Sequence, residues 1–351
     1  MTLKIGIPRA LYYHKFYPIW HTFFTELGAE VVLSQLSDKN ILKQGSDATV
    51  DEFCLPIKVF FGHVNTLLKR CDLLFIPRLI STEDETYYCP KFFGLPDMVR
   101  VAFNDAAPIL EPTFNVKGEG ITVEETFVDL GRSILKGKRE SIAAYKKAVE
   151  KQSGFQSMVN DGMIPTEAYK ILFHPSASNK LPPSPPFNSP LGKGGYSGVK
   201  GGGKGGGMKI ALIGHPYNIY DSFVSMNIIK KLMERNIRLM TKEMFSDDII
   251  KEEMKKLRRP VYWASGREIV GAANHLLYST EVDGIIFIGA FQCGPDSLLK
   301  TLIEKEAQRN SRTPLLTLSF DEHSGEAGLI TRLEAFLDML AIRKRRGIAA
   351  S

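Results

Sequence analysis

The chain has 351 residues, enough for two domains of ordinary size that each have a hydrophobic core. Hydrophobic residues make up 44% of it and charged residues 24%, which is typical of a globular protein rather than a disordered or fibrous one. The N-terminal stretch MTLKIGIPRALYYHK lacks the features of a signal peptide, and no stretch approaches the ~20 apolar residues of a membrane helix. We therefore expect no membrane segment and a cytoplasmic location.

The net charge of +6 does not indicate a nucleic-acid-binding surface. Four lysines lie between residues 180 and 204, and four further positive charges form the run RKRR at 343–346. Without these eight charges the balance is 6 minus 8, or −2. A basic groove with interleaved aromatic residues is not evident, so no nucleic-acid partner is expected. The RKRR run is better explained as a solvated helix end, where the helix dipole favours cations.

Alternating strands and helices are predicted through the first half. The segment LKIGIP predicts a strand, and FYPIWHTFFTEL predicts a helix that ends at Gly28. A second strand, AEVVLS, follows, and a helix from about Pro56 to Arg70 leads into the strand CDLLFIP. We expect residues 1–115 to form a Rossmann-like domain. Residues 116–174 have helical patterns rich in lysine and glutamate, and we expect them to connect or brace the two domains.

Residues 175–207 are rich in proline, glycine, serine and lysine and offer almost nothing to bury. Such a segment cannot offset the entropy of ordering, so a disordered tether or surface insertion is predicted. Its GxxxxGK spacing, from Gly198 to Lys204, is that of a phosphate-binding loop. Gly205 follows where such a loop has serine or threonine, so we interpret the match as chance.

The second half, residues 208–351, repeats the alternation of the first. MKIALIGHP, NIRLM, DGIIFIG and PLLTLSF predict strands, and FVSMNIIKKLMER and REIVGAANHLLYS predict helices. Short apolar runs between helices are typical of parallel strands buried on both faces. The sequence therefore predicts an α/β protein of two Rossmann-like, doubly wound parallel-sheet domains. KIGIPRALYYHKFYPIWHTFF can be aligned with KIALIGHPYNIYDSFVSMNII, which indicates a weak internal repeat unless strand periodicity alone explains it.

Three of the four cysteines occur in similar contexts: Cys54 in CLP, Cys89 in CPK and Cys293 in CGP. Because proline is tolerated in the first turn of a helix, each is expected at a helix N-terminus, where the dipole favours thiolate. Such a thiolate is a good metal ligand or nucleophile. Cys71 opens the strand CDLLFIP with no proline nearby, and we interpret it as a buried small hydrophobic residue.

The three cysteines are separated by 35 and 204 residues, and no CxxC pair is present. Structural zinc sites commonly have four ligands in local pairs. The long spacings instead require the folded domains to build the site, which suits an iron–sulfur cluster held between them. Unrelated helix-capping cysteines remain an alternative at this point.

Several segments together resemble the 2-hydroxyacyl-CoA dehydratase superfamily, and more closely its CoA-enzyme activase-related members. The resemblance covers nearly all of the chain outside the 175–207 insertion. It lies in LKIGIPRALYYHKFYPIWHTFFTELGAEVVLS, VDEFCLPIKVFFGHV, LLFIPRLISTEDETYYCPKFFGLPDMV, MKIALIGHPYNIYD, IGAFQCGPDSL and FDEHSGEAGLITRLEAFLDML.

The resemblance implies two Rossmann-like domains and a [4Fe-4S] cluster ligated by Cys54, Cys89 and Cys293. In the dehydratases a separate ATP-dependent activator, itself an iron–sulfur protein, supplies a low-potential electron. The cluster passes it to a 2-hydroxyacyl-CoA thioester, and the resulting ketyl radical eliminates water. This chain has neither the activator's nucleotide fold nor enough cysteines for a second cluster, and dehydratase substrate residues cannot be matched beyond the cysteines.

Further polar residues are candidates for supporting roles near the cluster. Lys58, Lys91 and His63 each follow a candidate cysteine within nine residues, and could donate to cluster sulfides or to a CoA phosphate. The alternative is a solvated lysine face and a helix-surface histidine. Asp296 is interpreted mainly as a cap for the helix after Cys293.

Two further strand ends carry polar groups. The segment HPYN with Asp221 could form an anion-binding loop, or Asp221 could simply cap a helix. The segment FDEHSGEAG could contact substrate or close the fourth iron position, or it could cap a helix. Its candidate residues are Asp321, Glu322, His323 and Glu326.

We therefore expect an iron–sulfur protein that works in low-potential electron transfer or in radical acyl-CoA dehydration or reduction. The expected partners are an ATP-dependent activator or other electron donor, an acyl-CoA and a homologous subunit. Whether the chain is itself a lyase or reductase component stays open. One alternative is a non-catalytic scaffold subunit with a structural metal centre, and another is a metal-free protein that binds a small ligand in the cleft.

Overall fold

The computed structural model describes residues 2–83, 85–104, 107–117, 121–173, 207–310 and 312–346. The GxxxxGK match and all of the 175–207 insertion except Gly207 lie outside these ranges. Among the described residues, no helix is long and apolar enough to span a membrane.

The first half alternates strands and helices, as its apolar periodicity predicts. Its elements are β1 (Lys4–Ile7), α1 (Tyr13–Glu26), β2 (Glu30–Leu33), α2 (Lys39–Asp47), α3 (Leu55–Leu67), β3 (Leu73–Phe75), β4 (Arg78–Ser81), α4 (Pro90–Phe93), α5 (Leu95–Ala102), β5 (Ile109–Leu110) and β6 (Thr113–Asn115). Three helices follow: α6 (Val123–Ser133), α7 (Lys138–Asn160) and α8 (Pro165–Phe173). Gly28, just beyond α1, has φ of 79°, the left-handed conformation that ends many helices.

The second half begins with β7 (Lys209–Gly214). It continues with α9 (Pro216–Ile219), α10 (Ile228–Glu234), β8 (Arg238–Thr241), the 3-10 turn Lys242–Met244, α11 (Asp247–Lys255), α12 (Ala264–Tyr278), β9 (Gly284–Ala290), α13 (Gly294–Asn310), β10 (Leu315–Phe320) and α14 (Glu326–Arg345). The helix predicted from residue 223 begins only at Ile228, because Met226 and Asn227 have φ of 50° and 56° and cannot continue a right-handed helix. Part of the RKRR run occupies the last turn of α14, so the prediction of a helix end is confirmed.

Two four-stranded sheets have the same strand order. The first is ordered β2-β1-β3-β5 and the second β8-β7-β9-β10, and all of their strands are parallel. The prediction of parallel Rossmann-like sheets is therefore confirmed. The shared order supports the internal repeat, because it relates the two halves by topology as well as by strand periodicity.

Hydrophobic cores extend across the two halves. Leu55 and Val59 of α3 pack with strand and helix residues of the second half. In the other direction, Tyr217, Ala290 and Cys293 belong to the core of the first half. The two sheets are therefore held together by shared apolar packing.

Helix α7 contacts both halves, as expected for a connecting or bracing segment. Lys147 of α7 pairs with Glu26 at 2.6 Å, and the Gln156 side chain donates to the Glu243 carbonyl at 2.9 Å. A partly buried cluster of charged side chains lies near this junction. Glu268 on α12 accepts from Lys15 on α1 and from Lys242, at 2.5 Å each.

Candidate functional site

Cys54, Cys89 and Cys293 each lie directly before a helix. They precede α3, α4 and α13, and their carbonyls accept hydrogen bonds from the first turns at 2.9, 2.8 and 3.0 Å. The expectation that these cysteines lie at helix N-termini is confirmed. Each position exposes its sulfur to the partial positive charge of a helix N-terminus.

The three cysteines line one enclosed cavity. It has a volume of about 30 Å³, enough for one or two water molecules. The loop after β1 and the loop that ends at Cys89 contribute from the first half, and the loops after β7 and β9 contribute from the second. Much of the remaining lining is aromatic: Tyr12, Tyr88, Phe92, Tyr217 and Trp263.

The sheet topology explains why the loops after β1 and β7 meet at this cavity. In each sheet the first strand lies between the second and the third, so the strand order reverses beside β1 and beside β7. Loops leave such a switch point in opposite directions and open a crevice at the carboxyl ends of the strands. Here the crevices of both sheets face the same cavity.

Cys54 and Cys293 interact directly. Their side chains are only 7% and 8% exposed. A hydrogen bond from Cys293, assisted by the charge of Lys91, lowers the pKa of Cys54 to about 7 although burial opposes this. The same hydrogen bond raises the pKa of Cys293, which therefore stays the protonated partner. Burial raises the pKa of Cys89, which lines the same cavity.

Among the described residues, no group of three or more His, Cys, Asp or Glu side chains is placed to hold a single metal ion. The three thiols therefore share a cavity without surrounding one point. The arrangement differs from that of a mononuclear zinc site, whose ligands converge on one ion.

Gln292 connects the loops that carry Cys54 and Cys293. With its amide oriented to satisfy its surroundings, the side-chain nitrogen donates to the carbonyls of Asp51 and Phe53, at 3.1 Å each. Gln292 has φ of 62°, which is uncommon for a residue other than glycine. The backbone thus turns sharply to direct this side chain across the boundary between the halves.

A pair of main-chain hydrogen bonds anchors the loop before Cys89. The Tyr87 N–H donates to the Tyr262 carbonyl at 2.8 Å, and the Ala264 N–H donates to the Tyr87 carbonyl at 2.9 Å. The bridge joins the first half to the chain just before α12. It fixes the position of the loop that carries Cys89 relative to the second half.

Cys71 lies elsewhere, in the packing between β1 and β3. Its sulfur would be 2.6 Å from a β-carbon added at Gly6, and its thiol donates to the Leu67 carbonyl at 3.3 Å. Burial raises the pKa of Cys71 to about 11. These contacts agree with its interpretation as a packed thiol.

The candidate supporting residues divide into two groups. Lys91 lines the cavity, with Nζ 3.9 Å from the Cys54 sulfur and 4.9 Å from the Phe53 ring. Asp296 lies behind it, where it accepts from the Ala290 N–H at 2.8 Å and from Asn218 at 3.0 Å.

The other candidates are directed away from the cysteines. Lys58 pairs with Glu322 at 2.5 Å, and His63 contacts Ser37 at 2.8 Å, which in turn donates to Asp221. Lys58 is 2% exposed and His63 fully buried, so the interpretation of a solvated lysine face and a helix-surface histidine is wrong for both. None of the three polar candidates Lys58, His63 and Glu322 appears among the described residues that line the cavity.

The polar group after β10 also does not meet the cysteines. Asp321 accepts from the His323 N–H at 3.0 Å, and His323 is exposed. Glu326 pairs with Lys231 of α10 at 2.6 Å. Asp321 and Ser324 close a turn before α14, but no side chain caps that helix in the part of the chain that the structure describes.

His215 is a polar residue of the cavity that the sequence analysis named only as part of the segment HPYN. It directly follows β7, is 6% exposed, and places Nε2 3.2 Å from Asp296 Oδ1. The available signal was the internal repeat, because HPY follows β7 where PRALYY follows β1.

The family model described as the CoA enzyme activase uncharacterised domain (DUF2229) matches residues 4–245, more than half of the chain. The chain belongs to this family. No curated protein matches it.

The family match covers β1 to β8, and with them Cys54 and Cys89. It ends before Cys293, the third cysteine of the cavity. The predicted relation to CoA-enzyme activase proteins is thus confirmed, whereas the match does not extend to the dehydratases themselves.

Proposed function

We propose that this chain is an iron–sulfur component of a CoA-enzyme activase and dehydratase system, with a [4Fe-4S] cluster ligated by Cys54, Cys89 and Cys293. Its role would be low-potential electron transfer, or radical dehydration or reduction of an acyl-CoA related to 2-hydroxyacyl-CoA. One observation carries the proposal. Three thiols from both halves, each before a helix, line one cavity, while the fourth cysteine packs elsewhere.

The donor set agrees with an iron–sulfur cluster. Thiolates are the usual ligands of iron–sulfur centres, and each binds a different iron of a cubane. Thiols that share a cavity without surrounding one point suit that requirement better than they suit one zinc ion. The cavity of about 30 Å³ is smaller than a four-iron cluster, so binding one would require a wider arrangement of the three thiols than this structure has.

The surrounding residues favour a negatively charged, redox-active group. A bound cluster would supply one-electron transfer at low potential. The largely aromatic lining leaves room for only one or two water molecules, while Lys91 and three helix N-termini supply positive potential beside the sulfurs. Such charges and the local dielectric tune the potential of a cluster.

The family description names CoA enzymes and activases, and we carry it over to the partners as part of the proposal. The electron donor would be an ATP-dependent activator or another low-potential protein. A homologous subunit would complete a dehydratase-like assembly.

A second candidate function is a scaffold subunit in which the metal centre only fastens the two halves. The observation in its favour is the enclosed volume of about 30 Å³, too small for the acyl group of a thioester.

Anaerobic purification, with iron, sulfide and zinc analysis, tests the proposal. Absorption and electron paramagnetic resonance spectra are recorded before and after dithionite. About four irons and four sulfides per chain with a reducible signal are expected. Zinc alone, or no metal after reconstitution, would refute the cluster.

Alanine variants of the cysteines provide the matched control. Cys54→Ala, Cys89→Ala and Cys293→Ala should each remove the stable cluster, whereas Cys71→Ala should keep its spectrum. Equal loss in all four variants would contradict the assignment. A cluster that neither cycles with a donor nor responds to an acyl-CoA would favour the scaffold.

A further inference from the structure

An imidazole lines the cavity together with the three thiols. His215 lines it and is 6% exposed. Its Nδ1 is buried and has no hydrogen-bond partner among the described residues. A buried polar atom without a partner is rare in proteins, because desolvation without a hydrogen bond costs about 1–3 kcal/mol. The unpaired Nδ1 of His215 can therefore accept a hydrogen bond or bind a metal in the cavity that the side chain lines.

The other ring nitrogen lies beside a carboxylate. Nε2 is 3.2 Å from Asp296 Oδ1, but Oδ1 has no hydrogen-bond partner among the described residues, so this is a close approach and not a hydrogen bond. The negative charge of the carboxylate still favours the tautomer with the hydrogen on Nε2, which leaves the lone pair of the imidazole on Nδ1.

The carboxylate is itself held in place. Asp296 is 2% exposed, and its Oδ2 accepts from the Ala290 N–H at 2.8 Å and from Asn218 at 3.0 Å. Asp296 is in the first turn of α13, the helix that begins after Cys293. The start of one helix thus places both a cysteine of the cavity and the carboxylate beside His215.

The plane of the imidazole ring is also fixed. It stacks on Tyr217, with ring centroids 4.8 Å apart and planes inclined by 8°. Tyr217 lines the same cavity. Metal-binding histidines usually donate the second ring nitrogen to a carboxylate or carbonyl that holds the ring. His215 has a carboxylate beside its second ring nitrogen and a stacked tyrosine, close to that arrangement, and it lines the same cavity as three thiols.

We infer that His215 is a fourth protein ligand, through Nδ1, of the iron–sulfur group held by the three cysteines. The inference rests on the function proposed above and adds the identity of the fourth donor. A three-cysteine, one-histidine set leaves no iron open to a substrate oxygen. It therefore favours electron transfer, or a structural role, over dehydration of an acyl-CoA bound to the cluster.

The test uses the full chain, reconstituted anaerobically and grown with ¹⁵N-histidine or with natural-abundance histidine. Pulsed electron paramagnetic resonance of the reduced cluster should show a strongly coupled nitrogen whose pattern changes with the isotope. The signal should be lost in His215→Ala and in His215→Cys, the second of which retains the cluster with four thiolates. It should persist in His275→Ala, because His275 also faces a carboxylate, Glu281 at 2.7 Å, but lies outside the cavity lining.

The possible results separate the two proposals. A reducible cluster without isotope-sensitive coupling in the unaltered chain would overturn the fourth ligand and leave the cluster proposal standing. Coupling that persists in His215→Cys would overturn it as well. A chain that binds no iron would refute both. The labelled unaltered chain decides the question even where a variant fails to fold.

Discussion

Removing Glu322 should destabilise the folded chain more than removing Lys58, although the two side chains form one ion pair. The two side chains are 2.5 Å apart and join α3 to the loop after β10, but Lys58 is 2% exposed and Glu322 is 21% exposed. Burial raises the pKa of Glu322, but the hydrogen bond and charge of Lys58 outweigh this and hold it below its ordinary value. The pair therefore stabilises the charged carboxylate.

In Glu322→Gln the ammonium group of Lys58 stays buried away from water but loses its counter-ion. Breaking a buried pair in this way costs about 3–5 kcal/mol, and we expect a value near the lower end because glutamine still accepts a hydrogen bond. In Lys58→Met the partly exposed carboxylate can take up water and an apolar chain fills the site, so about 1 kcal/mol is expected.

Urea unfolding of the metal-free chain, followed by circular dichroism, measures both free energies. The double variant should be about as stable as Lys58→Met alone, because the two positions act as one unit. Equal losses from the two single variants, or a larger loss from Lys58→Met, would refute the argument from unequal burial.

Three further predictions concern the contacts around the site. In Gln292→Glu the carboxylate cannot donate to the two carbonyls it faces, so urea unfolding should show a loss of about 1–3 kcal/mol, and an unchanged value would contradict the clamp. Burial raises the pKa of Glu268, but its two lysine partners have the larger effect, so the pKa lies below its ordinary value. The lysine pairs therefore stabilise the fold above the ordinary carboxylate pKa of about 4.3, and this stabilisation is lost as the pH falls below it. Melting temperatures measured from pH 7 to pH 3 should therefore fall more steeply in the unaltered chain than in Glu268→Gln. A β-carbon at Gly62 would lie 1.9 Å from the Ile41 carbonyl oxygen, so Gly62→Ala should lower the free energy of unfolding by at least about 2 kcal/mol. A β-carbon at Gly154 would meet nothing within 4 Å, so Gly154→Ala should raise the free energy of unfolding by about 0.5–1 kcal/mol in the same assay.

Sequence periodicity was sufficient to predict the fold, because strands buried on both faces are continuous apolar runs in the sequence. Every residue of β9 is buried, and DGIIFIG is accordingly an unbroken apolar run. The start of α10 was predicted too early, because Met226 and Asn227 have left-handed backbone conformations and no glycine in the sequence indicates such a conformation there. Backbone conformation at such positions is imposed by tertiary packing.

The candidate site was harder to predict beyond its cysteines. Nearness in sequence made Lys58 and His63 candidates, but successive residues of a helix point in different directions, and α3 carries both away from the cavity. The opposite holds for His215 and Asp296, which are 81 residues apart and meet only because β7 and β9 are neighbours in the sheet. Only the topology brings such a pair together.

The bridge at Tyr87 has a consequence for how much the surrounding sequence can vary. Both of its hydrogen bonds use peptide groups, so they do not depend on which side chains occupy positions 87 and 262. Only proline, at 87 or 264, would remove a donor. The loop that carries Cys89 is thus held by backbone peptide groups, which most substitutions do not change. Random mutagenesis should therefore find this segment permissive, even though the neighbouring cysteine is not.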